Sequence, residues 1–93
     1  MPAFSEIRFE RKSYDDGFGF ECMKTAYHYR IKGRMDYSES WGIRILMEGD
    51  EEDVIAFIEW IEQNIQETID TLQHTYLNYS GHFTEFDIYR HTA

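Results

Sequence analysis

The sequence predicts an α+β fold in which two helices cover one face of a four- to five-stranded, mainly antiparallel sheet. Two observations carry this expectation. Apolar residues recur at two periods, alternate positions in some segments and helical spacing in two others, and these segments follow one another as strand, helix, strand, strand, helix, strand. Nothing divides the chain either: Pro2 is the only proline, and there is no internal repeat, low-complexity tract or linker, so residues 1–93 read as one domain. A chain of this size buries roughly two-thirds of its unfolded surface, enough for one sheet with helices on one face. Hydrophobic residues at 42% and aromatics at 17% supply that core and argue against disorder.

Residues 4–12 alternate, with Ile7 and Phe9 sharing a face with Ser5 and Arg11 while Glu6, Arg8 and Glu10 lie opposite, the pattern of a half-buried strand. After a Gly17-Phe18-Gly19 turn, Phe20, Met23 and Tyr27 recur at helical spacing beside Ala26, giving a short helix that ends near Tyr29. A second strand runs through Ile31, Gly33 and Met35, and the polar stretch DYSES turns the chain. Trp41 to Glu48 forms the third strand, with Ile43, Ile45 and Met47 on one face.

The segment GDEEDVIAFIEWIEQN is the clearest helix. Asp50 is placed to cap it, and Glu51, Glu52 and Asp53 fall in the first turn, where the helix macrodipole favours anions. Val54, Phe57, Ile58, Ile61 and Ile65 complete an apolar stripe. Helix-start chemistry accounts for the acidic run without a binding role. A fourth strand is expected over residues 68–79, with Leu72, His74 and Tyr76 alternating, and a fifth over 83–89, with Phe86 and Ile88 inward. The resulting order is the ferredoxin-like β-α-β-β-α-β sandwich with a short terminal strand. Such a fold hosts many functions and by itself decides none.

Nine basic residues against eighteen acidic ones give a formal charge of −9. That balance disfavours nucleic acid and anionic membrane surfaces as partners, because binding either rests on Lys and Arg neutralising phosphates. No apolar run approaches the ~20 residues of a membrane span, and MPAFSEIRFE lacks a signal-peptide core. Cys22 is the only cysteine, which excludes an internal disulfide framework and points to a reducing cytoplasm. The thiol reads as packed or idle.

The stretch SYDDGFGFEC, residues 13–22, sets a conflict. Two glycines bracketing a phenylalanine just before a helix expose backbone amides suited to a phosphate. Yet Asp15, Asp16 and Glu21 crowd the same ten residues. GFGF (17–20), EGDEEDVIAFIEWI (48–61) and SGHFTEFDIYR (80–90) resemble, in order and spacing, three segments of the acylphosphatase family. The resemblance implies metal-free hydrolysis of carboxyl-phosphate anhydrides, with a glycine loop and one arginine holding the phosphoryl group and an asparagine on the second strand orienting water.

On this chain the arginine position, directly after Phe20, is Glu21. The loop position usually filled by glutamine is Asp16, with Asp15 beside it, and the water-orienting asparagine position is Tyr37, flanked by Asp36 and Ser38 as near misses. A unit charge about 4 Å away is worth ~1 kcal/mol in water and ~4 kcal/mol at an effective dielectric of 20, and exchanging arginine for glutamate doubles that swing. The expectation is therefore a degenerate site. Its cradle-like loop is Asp15, Asp16, Gly17, Phe18, Gly19, Phe20 and Glu21, in a non-catalytic domain that acts as a binding or interaction module for a small molecule or a protein. The alternative is an active or residually active acylphosphatase, rescued by Arg11, Lys12 or Arg34.

Asp15, Asp16 and Glu21 lack the alternating acids of a calcium loop, and His28, His74, His82 and His91 show no metal-ligand spacing, so no metal or other cofactor is expected. Tyr14, Phe18, Tyr37 and Trp41 either pack in the core and rim or gather around the vacated site. The sparsely charged 68–79 strand allows a homodimer through an open sheet edge.

Overall fold

The computed structural model describes residues 2–10, 17–38, 40–65, 72–79, 81 and 83–91. Its elements are β1 (Pro2–Phe9), α1 (Phe18–His28), β2 (Lys32–Ser38), β3 (Gly42–Asp50), α2 (Glu51–Asn64), β4 (Gln73–Leu77) and β5 (Phe86–His91). The strands lie in the order β4-β1-β3-β2-β5. The β1–β3, β1–β4 and β2–β3 pairs are antiparallel and β2–β5 is parallel, so the sheet is mixed. This is the ferredoxin-like arrangement that the element order implied.

Strand alternation divides the sheet into two chemically distinct faces. Register aligns Ser5, Met47, Gly33 and Phe86 in one row, Ile7, Ile45, Met35 and Ile88 in the next, and Phe9, Ile43, Tyr37 and Arg90 in the third. These rows carry most of the sheet's buried residues, and α2 completes the core with Val54, Phe57, Ile58 and Ile61. Each large apolar side chain so buried contributes about 1.5–3 kcal/mol. Ile65 is buried just beyond the helix end, whereas Leu72 and Ile88 are only half-buried against the core. Ile88 stands on an edge strand, which leaves it a neighbouring strand on one side only.

The first helix departs from its expected rotation. Phe20 and Tyr27 are 70% and 77% exposed, and the buried residues are Phe18, Gly19, Cys22 and Ala26. Phe18 belongs to the helix rather than to the turn. Its ring meets Phe9 edge-on at 6.0 Å and stacks against Trp60 at 6.0 Å. That anchor fixes the rotation, so positions four and eight residues later also face the sheet. Small side chains there let the helix lie close to it.

Several boundaries also move. Asp36, Tyr37 and Ser38 continue β2 instead of turning the chain, β4 spans Gln73–Leu77 among the described residues, with 68–71 lying outside them, and β5 begins and ends later than expected. Asp50 occupies the N-cap of α2 but makes no side-chain cap hydrogen bond. Glu48, also expected to be an ordinary strand end, is buried and accepts backbone N–H bonds from Gly81 at 2.9 Å and Phe83 at 3.0 Å. It thereby ties the approach to β5 onto the end of β3.

Candidate functional site

The cradle-like segment begins at Gly17, whose left-handed backbone (φ 84°, ψ 1°) starts α1. A Cβ there would meet no atom within 4 Å, so glycine serves the backbone angle and not a lack of room. Glycine as the N-cap residue brings no capping side chain of its own. The first helical bond runs from the Glu21 N–H to the Gly17 carbonyl at 3.1 Å. The amides of Phe18, Gly19 and Phe20 therefore precede the intrahelical ladder, the usual condition for an anion-receptive helix start.

Glu21 stands exposed in that same turn. A carboxylate at this point is favoured by the macrodipole and occupies, electrostatically, the role an incoming anion would take. Phe18 and Gly19 turn inward, while Gly17 and Phe20 lie exposed. Asp15 and Asp16 lie outside the described residues, as do Arg11, Lys12 and Tyr14. Among the described residues no cluster of three or more His, Cys, Asp or Glu is arranged to hold a metal ion.

Tyr37 lies in the same sheet row as Phe9, the last residue of the strand that leads into the loop. It is 3% exposed on the helix-covered face, with the Arg90 guanidinium 6.0 Å from its ring centroid. Asp36 and Ser38, the near misses for the asparagine position, point to the opposite face by strand alternation. Of the four aromatics, the three described ones do not gather around one site. Phe18 and Tyr37 are core residues, and the half-exposed Trp41 ring lies 5.9 Å from His91 on the other side of the sheet.

Arg34 is not placed to serve the loop. It lies on the open face, giving Nε to Asp36 Oδ2 at 2.9 Å and Nη2 to Asp36 Oδ1 at 2.6 Å. Arg44 Nη2 reaches Oδ2 at 3.3 Å, and His91 Nε2 lies 2.7 Å from Oδ1. Arg34 also stacks over the Tyr89 ring at 4.1 Å. Asp36 is only 1% exposed. Burial pushes its carboxyl up, but hydrogen bonds from Arg34, His91 and Arg44 outweigh that and hold it below the ordinary carboxylate value. The same bond to Asp36 raises the Arg34 guanidinium.

Sequence reasoning missed this cluster and Arg90. The visible signal was Arg34-Met35-Asp36 at strand spacing, which places an arginine and an aspartate on one face. Cys22 is sealed under α1, and burial pushes its thiol far up. No helix among the described residues is long and apolar enough to cross a membrane.

The acylphosphatase family model matches residues 16–88. Among solved structures, full-length HypF in a phosphate- and nucleotide-bound form superposes with a TM-score of 0.81 at 24% identity, covering 97% of this chain and 12% of that one. The acylphosphatase from Bacillus subtilis matches with a TM-score of 0.77 at 18% identity over 95% of this chain and 98% of its own. That from Coxiella burnetii gives 0.78 at 10% identity, over 94% and 92%. This chain thus spans a small part of HypF and nearly the whole length of the two acylphosphatases. No curated protein matches the sequence significantly.

Proposed function

Because the chain belongs to the acylphosphatase family, we propose that residues 1–93 form a single acylphosphatase-like domain that binds a small molecule or a protein segment and does not turn over acyl phosphates. The observation that carries this reading is Glu21, exposed in the first turn of α1 directly after Phe20. Acyl-phosphate hydrolysis needs donors on the equatorial oxygens as charge redistributes, and a water held in line with the leaving group. The amides of Phe18, Gly19 and Phe20, at the start of the helix, supply partial positive charge. Glu21 sets a full negative charge beside them, and Asp15 and Asp16 precede them in sequence. A phosphoryl dianion is repelled from such a site, while an uncharged acceptor such as a carbonyl oxygen is not.

The water-positioning side of the chemistry is weakened as well. Tyr37, at the family's asparagine position, is packed into the core under Arg90. A buried phenol does not present the amide pair that orients a water. Residual hydrolysis is the second reading, and Arg90 favours it. This cation shares a sheet row with Tyr37 and Phe9 at the end of the sheet from which the loop departs. A guanidinium reaching the loop from β5 would stand in for the family's arginine.

Benzoyl phosphate hydrolysis separates the two readings. The unmodified protein is expected to show no turnover above the uncatalysed rate and no heat on titration with inorganic phosphate. Glu21→Arg with Asp16→Gln replaces repulsion by a bidentate donor, so binding of phosphate should appear first. Adding Tyr37→Asn should then raise turnover, with circular dichroism confirming that the truncated core position still folds. Robust hydrolysis by the unmodified protein, abolished in Arg90→Gln, would establish the second reading and sink the first.

A further inference from the structure

We propose that the open face of the sheet, opposite the helices and the loop, carries a second site that binds a small tetrahedral oxyanion between Arg44 and Arg8. The ligand class is inorganic phosphate or a phosphate monoester, and Asp36 is the positioning residue. This proposal goes beyond the reading of the loop and does not depend on it.

Acceptors are short around Asp36. Each Asp36 oxygen already serves two nitrogens, Oδ1 those of Arg34 and His91 and Oδ2 those of Arg34 and Arg44. A carboxylate has about four lone-pair sites, so this one is saturated. Arg34 takes the bidentate share. Arg44 receives a single contact, the longest of the four at 3.3 Å, and its Nε is closed to solvent with no hydrogen-bond partner among the described residues. Buried polar groups are ordinarily paired, and an unmatched guanidinium N–H beside a saturated carboxylate marks a missing acceptor.

A second, independent observation lies in the register. Arg8 is the direct Cα partner of Arg44 across β1 and β3. Like charges directly opposite one another on one sheet face repel. Arg8 has Glu6 as its ion-pair partner, from its own strand and at 3.5 Å. Asp87, the register partner of Arg34 on β5, brings the carboxylates of this face level with its arginines, so the opposition of Arg8 and Arg44 is a local repulsion and not a net excess of charge. A dianion between the two opposed guanidinium groups would neutralise the repulsion and give Arg44 its acceptor. Asp36, by holding both Arg34 and Arg44, keeps the latter from folding away into solvent.

Nitrogen-15 NMR of the full chain tests the site with inorganic phosphate, phenyl phosphate and benzoate as probes. Phosphate should shift the Arg44 and Arg8 Nε–H resonances saturably at millimolar concentration, leaving the Gly17 and Gly19 amides unmoved. Phenyl phosphate should bind at least as well, and benzoate, a planar monoanion, about tenfold more weakly because it offers fewer charge-assisted bonds. Arg8→Gln alters an exposed side chain and leaves the fold intact, and it should weaken phosphate about tenfold. Arg44→Gln should abolish the response. Three results would overturn the proposal: shifts confined to the Gly17 loop, non-saturating shifts spread over many surface cations, or unchanged affinity in Arg8→Gln.

Discussion

Replacing Asp36 by asparagine removes the one negative charge at the centre of the open-face cluster and changes its volume hardly at all. The native carboxylate makes four contacts, at 2.6, 2.7, 2.9 and 3.3 Å. Asparagine keeps one oxygen and turns an NH2 group toward two donors, so two charge-assisted bonds are lost. Each contributes about 1.5–3 kcal/mol in favourable settings. Arg34 and Arg44 keep about a third of their side-chain surface exposed and His91 nearly half, so water recovers part of the loss. The net cost should be about 2–4 kcal/mol, or roughly 10–25 °C in Tm for a domain this small. Its pH dependence identifies the cause. The folded carboxyl is held below its ordinary value, so its contribution is fully present above the unfolded pKa, near about 4, and is lost as pH falls through the lower folded value. Thermal unfolding by circular dichroism, scanned from about pH 5.5 down to about pH 2.5, should show a gap between the two proteins that closes at the acid end. A gap of equal size at both ends would mean that packing, not charge, is at stake, and the reasoning would fail.

Phe57→Ala should cost about 3–5 kcal/mol, since Phe57 is fully buried, stacked on Trp60 and edge-on to Phe86, and urea unfolding measures the loss. The two glycines separate backbone strain from lack of space. A Cβ at Gly33 would lie 1.9 Å from the Leu46 carbonyl oxygen, on top of a positive φ of 153°, so Gly33→Ala should cost about 3 kcal/mol or more by adding the clash of β2 with β3 to backbone strain. Gly17→Ala meets only its positive φ and should cost about 1–2 kcal/mol; equal costs at the two positions would refute the packing argument. Cys22 should resist a thiol reagent in native buffer and react only at the rate of unfolding, because burial raises its thiol and α1 covers it.

The sheet and the second helix were legible because their periods are clean. Ile7 and Phe9, Ile43 to Met47 and the Val54 to Ile65 stripe all lie where alternation or helical spacing puts them. The first helix was not, because two stripes compete there. Phe20, Met23 and Tyr27 carry the louder apolar signal, whereas the true inward line of Phe18, Cys22 and Ala26 is mostly small and depends on Phe18 meeting Phe9 and Trp60. At the candidate site, Glu21 was legible because helix-start chemistry is local. The Asp36 cluster was not. Its polar residues read as a turn, and its partners at Arg44 and His91 are supplied by strand register rather than by neighbouring sequence.

The parallel pairing of β5 with β2 also has a consequence in time. Of the four strand pairings among the described residues, only β2–β3 joins strands consecutive in the chain. The β2–β5 edge unites distant segments, and the Asp36–His91 contact that fastens it bridges 55 positions. Non-local pairings must close long loops before any contact rewards them, so they slow folding. β5, like β4 at the other edge, should therefore dock late, after the hairpin and helices have collapsed. Until then β2 presents a bare edge containing Met35 and Tyr37, able to pair with another chain. Refolding from urea should accordingly show a final slow phase that His91→Ala retards, and a yield that falls as protein concentration rises.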